Sequence, residues 1–295
     1  MRIACIAPSG RVAIDALHAG CRRLKRVFGV TPWIHPACYE EDGFYAGSDR
    51  VRALALYESA FEADILWCAR GGSGAMRLLP LLDTMKAPPS NKLLVGFSDA
   101  TALFDYVRSR WGWSTLHAPM PATRMFASMR VAHLQELEKY LTGHVKCVWR
   151  LERHGPSCQV RAPLIGGNLA VLSHLMGTDF EPFHTQSILF LEDIDEPFYK
   201  IARMLTQFKL SPKFRDSVRA IVLGSFSGCR DTSGAGVTLL DLFRDMDLPV
   251  FSGLPMGHGM ADHAPLVLGG MYELKGHSLR LLSWDWRLDA DAVIR

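Results

Sequence analysis

A serine stands where an apolar run of the sequence meets a helix-like segment. Residues 92–103 read Lys-Leu-Leu-Val-Gly-Phe-Ser-Asp-Ala-Thr-Ala-Leu, which predicts a buried strand followed directly by an amphipathic helix. A serine on such a tight turn is exposed above the sheet, and the helix N-terminus offers N–H groups to a developing oxyanion. Ser98 is therefore a candidate nucleophile. The alternative is that its hydroxyl only caps the helix, a common task for serine.

A second turn of the same kind follows the apolar run at residues 65–69. Arg70 is followed by Gly71-Gly72-Ser73-Gly74 and then by another helix-like segment. The turn matches neither the Walker pattern nor Gly-x-Gly-x-x-Gly, so nucleotide phosphate is not the expected ligand. Because glycine allows close backbone approach, N–H groups of this turn could complete an oxyanion hole if the turn adjoins Ser98. Otherwise it is an ordinary tight turn.

Two residues of the second half have the chemistry to assist a nucleophile. Glu192 ends the apolar run 187–191, from which its carboxylate could orient an imidazole; a solvated acidic turn is the alternative. His258 lies between Gly257 and Gly259, which suits a catalytic base on a turn, and a lone surface histidine is the alternative. The chain has neither a calcium-loop pattern nor zinc-ligand spacing. The sequence therefore predicts no metal and no cofactor.

The composition describes a globular protein. Apolar residues make up 48% and charged residues 21% of the 295 residues, and the net charge is only +3. The basic residues are scattered among acidic ones, so a nucleic-acid partner is not expected. Seven cysteines without a Cys-x-x-Cys pair indicate reduced thiols in the cytoplasm. No signal peptide and no apolar run long enough to cross a membrane is evident, so we expect a cytoplasmic protein with no membrane partner.

The first half alternates strand-like apolar runs with segments of helix length. This rhythm predicts a mostly parallel sheet with helices on both faces. We therefore expect a Rossmann-like, flavodoxin-like α/β domain over residues 1–145, with its functional residues at the carboxyl ends of the strands. The pattern turns polar around residues 146–162, where we predict a linker. Residues 163–295 are expected to form a smaller domain of mixed α and β structure.

Taken together, the motifs resemble those of the L,D-carboxypeptidase family of serine peptidases, which includes murein tetrapeptide carboxypeptidases and microcin C immunity peptidases. The resemblance spans nearly the whole chain. It rests on eight landmarks in the family's order, namely Ile-Ala-Pro-Ser at 6–9, Gly47, Arg-Gly-Gly at 70–72, Gly-Phe-Ser-Asp at 96–99, Leu-Ile-Gly-Gly-Asn-Leu at 164–169, Leu-Glu-Asp-Ile-Asp-Glu-Pro at 191–197 with Tyr199, Leu-Gly-Ser-Phe at 223–226 and Gly-Leu-Pro-Met-Gly-His at 253–258.

The resemblance implies a Ser–Glu–His triad. In it Ser98 is the nucleophile, His258 is the general base and acid, and Glu192 orients the imidazole. The backbone N–H groups of Gly72 and Asp99 would form the oxyanion hole. The base and its carboxylate would then lie in a different domain from the nucleophile, so that the active site is a cleft between domains.

The resemblance also suggests a homodimer and a small peptide substrate, a murein tetrapeptide that loses its terminal D-alanine. Candidates for substrate binding are Arg70, Ser73, Arg124 and Asn168. Ser73 stands where members of the family often carry tyrosine, which affects substrate preference more than mechanism. The sequence leaves two alternatives open: an immunity-type peptidase that cleaves peptidyl or aminoacyl adenylate analogues, and a non-catalytic, two-lobed binding protein.

Overall fold

The computed structural model describes residues 1–260 and 263–288. Contacts between Cα atoms divide the chain into two compact units, each of which is described by itself. The first unit takes its described residues from Met1–Val145, Ala261–Val267 and Asp285–Arg295, and the second unit consists of Lys146–Met260 and Leu268–Trp284. The chain therefore passes between the units more than once.

Within the described residues the chain forms strands and α-helices that we number in chain order. The strands are β1 (Ile3–Ile6), β2 (Trp33–Ile34), β3 (Ile65–Cys68), β4 (Leu93–Gly96), β5 (Ser114–His117), β6 (Val148–Arg150), β7 (Glu152–His154), β8 (Gln159–Asn168), β9 (Ser187–Ile194), β10 (Val218–Ser227), β11 (Val250–Ser252), β12 (Leu266–Leu268), β13 (Met271–Lys275) and β14 (Ser278–Ser283). The α-helices are α1 (Ile14–Phe28), α2 (Asp49–Glu62), α3 (Leu79–Asp83), α4 (Thr101–Trp111), α5 (Arg124–Ser128), α6 (Val131–Leu141), α7 (Leu169–Leu175), α8 (Phe198–Leu210), α9 (Pro212–Ser217) and α10 (Leu239–Phe243). Short 3-10 helices span Pro36–Tyr39, Ala75–Leu78, Ser98–Ala100 and Arg244–Met246.

The first unit is built on a six-stranded sheet with the order β12-β5-β4-β3-β1-β2. Strands β1 to β5 pair in parallel, and their order 2-1-3-4-5 is that of flavodoxin-like sheets. Every residue of β1, β3 and β4 is buried, as expected for a parallel sheet covered on both faces. The predicted fold class is confirmed.

The second unit contains an eight-stranded mixed sheet with the order β6-β14-β13-β8-β9-β10-β11-β7. Its centre, β8 to β11, is parallel, and antiparallel strands extend it on both sides. A core cluster that includes Leu189 and Leu191 of β9, Ile221 of β10 and Ile201 and Leu205 of α8 anchors these central strands. Leu191, the residue before Glu192, thus packs in this core near the carboxyl end of β9.

The structure differs from the sequence-based boundaries at two places. Residues 146–162, which we expected to be a linker, contain β6, β7 and the beginning of β8, and β6 and β7 are the two edge strands of the second sheet. Edge strands pair on one side only and tolerate polar residues, which is why the segment reads as a connector. Strand β12 lies beyond residue 163 but extends the first sheet beside β5. No helix of the described residues is long and apolar enough to cross a membrane.

Candidate active site

Ser98 occupies a strained turn at the carboxyl end of β4. Its φ angle is +61°, a left-handed conformation that costs a residue with a Cβ about 1–2 kcal/mol. It is half-buried, whereas its neighbours Phe97 and Asp99 are 3% and 6% exposed. The 3-10 helix Ser98–Ala100 leads directly into α4, so the serine stands at a helix N-terminus. The predicted strand–turn–helix arrangement is present in the first unit.

The glycine turn after β3 packs directly against Ser98. A Cβ atom added to Gly71 would lie 2.9 Å from both Cβ and Oγ of Ser98 and 3.4 Å from the backbone N of Asp99, so only glycine fits there. The Gly71 carbonyl accepts a hydrogen bond from Gly10 N at 3.1 Å. Because a trans peptide points its C=O and N–H in opposite directions, the Gly72 N–H is directed away from Gly10. It donates no hydrogen bond to any residue that the structure describes.

Two buried side chains hold these turns together. A carboxylate oxygen of Asp99 accepts the backbone N–H of Ala75 at 2.8 Å, which ties the glycine turn to the serine turn. Arg52 of α2 is 1% exposed and donates to the carbonyls of Gly47, Pro8 and Gly74 at 3.1, 2.6 and 2.9 Å. It also pairs with Asp49. Our sequence analysis missed Arg52, although an arginine among the small and apolar residues of α2 was the signal for it.

Glu192 and His258 of the second unit are joined by two hydrogen bonds. Glu192 lies near the end of β9 and is fully buried, and its Oε2 is 2.7 Å from Nδ1 of His258 and 3.0 Å from the backbone N of His258. A carboxylate only accepts, so Nδ1 carries the donated proton and Nε2 is left as the basic nitrogen. Oε1 of Glu192 has no hydrogen-bond partner among residues 1–260 and 263–288.

The surroundings of His258 favour its protonated form. Burial of the ring opposes protonation, but the hydrogen bond and the charge of Glu192, together with the charges of Asp193 and Asp195, outweigh burial and raise the pKa of His258 above 6.5. A raised pKa makes the imidazole a stronger base, which accepts a proton more readily and can return it in the next step. The pair therefore has the properties of a general base with an orienting carboxylate.

Gly257 allows the histidine turn to close over Glu192. Its φ angle is +110°, and an added Cβ would lie 2.8 Å from Cβ and 2.9 Å from Oε2 of Glu192. Any other residue would displace the carboxylate that holds His258. Gly257 is thus a packing requirement of the pair.

The neighbouring polar residues of the second unit have structural contacts. Asn168 caps α7 by accepting the N–H of Val171 at 3.1 Å and donates to Asp193 at 3.0 Å. Asp193 also accepts the N–H groups of Ala170 and Ile194, and its burial raises its pKa. These contacts give Asn168 a role in the fold, and its part in substrate binding stays a prediction.

The other predicted substrate residues lie in the first unit. Arg70 is half-buried and donates to the carbonyls of Arg11 and Gly71 at 2.8 and 3.2 Å. Ser73 is exposed on the glycine turn. Arg124 is the exposed first residue of α5 and lines a groove along α1, and that lining includes neither Arg70 nor Ser98. Within the described residues no group of three or more histidine, cysteine or acidic side chains could hold a metal ion.

Family models and known relatives match both halves of the chain. Residues 3–118 match the LD-carboxypeptidase N-terminal domain, and residues 161–274 match the LD-carboxypeptidase C-terminal domain. The chain is 33% identical to the murein tetrapeptide carboxypeptidase of Pseudomonas aeruginosa over 298 residues, which cover 95% of this chain and 94% of the relative. It is 25% identical to the microcin C7 self-immunity protein of Escherichia coli, over 74% of this chain and 73% of that protein.

Solved structures give the same result. The muramoyltetrapeptide carboxypeptidase from Oxalobacter formigenes superimposes with a TM-score of 0.84 and 29% identity, covering 98% of this chain and all of that chain. The two domain matches, the identity to a murein peptidase and the strand order all agree, and they support a peptidase activity. The chain belongs to the LD-carboxypeptidase family.

Proposed function

We propose that this chain is a serine carboxypeptidase that hydrolyses the L,D-peptide bond to the terminal D-alanine of murein tetrapeptides. The proposal assigns Ser98, Glu192 and His258 to one catalytic triad and needs no cofactor. The single observation that carries it is the left-handed Ser98 at the start of a helix, with φ of +61° and the Gly71 turn packed against it. Such strain in a serine is characteristic of a nucleophile held for attack.

In the proposed reaction Ser98 Oγ attacks the carbonyl carbon of the scissile bond, and its proton passes to Nε2 of His258. The backbone N–H groups of Gly72 and Asp99 stabilise the oxyanion. His258 then gives the proton to the leaving amine of D-alanine, and an ester to Ser98 remains. Water, deprotonated by His258, then attacks that ester; the shortened peptide leaves as the free acid, and His258 returns the proton to Ser98 Oγ. Glu192 keeps the imidazole in the required tautomer and stabilises its cation.

The substrate class is supported by the 33% identity to a murein tetrapeptide carboxypeptidase. Mass spectrometry of the protein incubated with murein tri-, tetra- and pentapeptides tests it. We expect loss of one D-alanine from the tetrapeptide only. Removal of a residue from the pentapeptide, with the tetrapeptide left intact, would contradict the assignment because it would indicate hydrolysis of the terminal D,D-bond.

The similarity to a microcin C7 self-immunity protein supports one alternative, an immunity-type peptidase for adenylate analogues. An aminoacyl sulfamoyl adenosine added to the same assay separates the two, because only the alternative predicts its efficient cleavage. A non-catalytic binding protein, the remaining alternative, would not react with a fluorophosphonate probe. The homodimer and the cytoplasmic location also remain predictions, and light scattering on the purified protein tests the first of them.

A further inference from the structure

Two histidines of the first unit form a buried pair beside the serine turn. His117 is the last residue of β5, paired in register with Gly96 of β4, and His263 lies just before β12, the strand next to β5. Both are fully buried. Their rings stack at 18° with centroids 5.0 Å apart, and Nδ1 of His117 is 3.2 Å from Nε2 of His263. One nitrogen must donate and the other accept.

Both imidazoles contact Phe97, the residue that immediately precedes Ser98. The ring of Phe97 meets that of His117 edge-on at 5.7 Å and that of His263 at 5.2 Å. Phe97 is itself buried, with an extended backbone at φ −160° and ψ −171°. The conformation of the chain thus changes from extended to left-handed within one residue, and the side chain on the extended residue is held by the histidine pair.

This packing bears on the strain at Ser98. A left-handed conformation in a residue with a Cβ persists only where the surroundings fix it. Asp99 fixes the turn from the helix side through Ala75 N, and Phe97 fixes it from the strand side. Removal of a ring beside Phe97 would create a cavity into which Phe97 can shift, and the following peptide could then relax toward the ordinary negative φ.

We propose that His117 and His263 are positioning residues that hold Ser98 in its reactive conformation through Phe97. The inference rests on the proposed function, since it requires Ser98 to be the nucleophile. Neither histidine needs to touch the substrate. The stacked rings supply the wall against which Phe97 packs, and the hydrogen bond between their nitrogens fixes the rings relative to each other.

The test separates positioning from general stability. His263→Ala removes both the ring and the hydrogen bond, whereas His263→Phe keeps a stacked ring. Leu17→Ala is the control: Leu17 is fully buried, and the core cluster of the first unit to which it belongs does not include Phe97 or either histidine. For each variant we would measure thermal stability, kcat and KM on the tetrapeptide, and the rate at which a fluorophosphonate labels Ser98.

For His263→Ala we expect labelling and kcat to fall together about 10–100-fold, as for a misplaced reacting group, with KM changed less than about threefold. His263→Phe should recover most of the loss, and Leu17→Ala should lose stability but keep its kcat. If His263→Ala labels and turns over like Leu17→Ala, the inference is overturned while the nucleophile assignment stands. If wild-type Ser98 is not labelled at all, the proposed function fails, and the inference fails with it.

Discussion

Oε2 of Glu192 accepts two hydrogen bonds from one residue, the Nδ1–H of His258 at 2.7 Å and its backbone N–H at 3.0 Å. The carboxylate therefore fixes both the imidazole and the turn that carries it. An ionised oxygen that receives two N–H groups in a fully buried position is held more firmly than one in a solvated acidic turn. These two hydrogen bonds to one oxygen underlie the expected effects of Glu192→Gln and Gly257→Ala.

Ser98→Ala should abolish turnover and leave the fold intact. Loss of a triad nucleophile costs on the order of 10⁴–10⁶ in kcat. The fold should be unaffected because alanine keeps the Cβ atom that packs against Gly71. Ser90→Ala is the matched control because Ser90 is an exposed serine of the first unit that is not predicted to bind substrate. The kcat of both variants on the murein tetrapeptide checks this. More than about a tenth of wild-type activity in Ser98→Ala would exclude it as the nucleophile.

The pH profile of kcat/KM should follow the protonation of His258. Only the neutral imidazole can accept the Ser98 proton, so the rate rises with pH through the pKa of His258, which lies above 6.5. Glu192→Gln removes the charge that raises this pKa. We expect the midpoint to move to lower pH while the plateau rate falls, because amide and carboxylate favour different tautomers. An unchanged midpoint with a near-normal rate would assign the orienting role to another carboxylate.

Gly257→Ala should disrupt the Glu192–His258 contact. The added Cβ would lie 2.9 Å from Oε2 of Glu192, and the alanine would also have to adopt a φ of +110°. Gly177→Ala is the control in the same unit, since Gly177 has φ of +77° and no atom within 4 Å of an added Cβ. Both variants carry backbone strain of about 1 kcal/mol, but only Gly257→Ala should lose activity, by at least about 100-fold. Equal kcat values in the two variants would contradict this prediction.

Arg52→Met should destabilise the first unit strongly. The substitution leaves the carbonyls of Pro8, Gly47 and Gly74 without their buried donor, and removal of one partner from such a buried charged site costs about 3–5 kcal/mol. Arg77→Met is the matched control because Arg77 also pairs with Asp49 but is exposed, so a much smaller loss of stability is expected. Urea denaturation of both variants measures the difference, and similar midpoints would show that Arg52 contributes little.

The first sheet and its functional edge could be predicted because their signals are local. The strands are continuous apolar runs, and Ser98 and the Gly71 turn each stand where such a run ends. The second sheet could not be ordered in this way, since β6 and β7 are only three residues long and pair with strands far away in the sequence.

The same limit applied to single residues. Arg52 is buried because three separate loops offer it carbonyls, and Asn168 is engaged by a helix and by Asp193. The small and apolar neighbours of Arg52 indicate that it is buried, but in neither case do the neighbouring residues identify the partners. The role of His263 could not be read from its neighbours, because its stacking partner His117 lies 146 positions away.

The first unit owes an edge of its sheet to a segment that lies far from β1 to β5 in the sequence. His263 and β12 follow more than 260 residues of preceding sequence, and Trp286, which donates to the carbonyl of Leu141, comes later still. A ribosome makes residues 1–145 early, but the wall beside Phe97 is incomplete until these late residues emerge. A nascent chain that has not yet reached His263 therefore carries Ser98 without the histidine pair that packs beside Phe97, so the order of synthesis itself delays the packing around this serine.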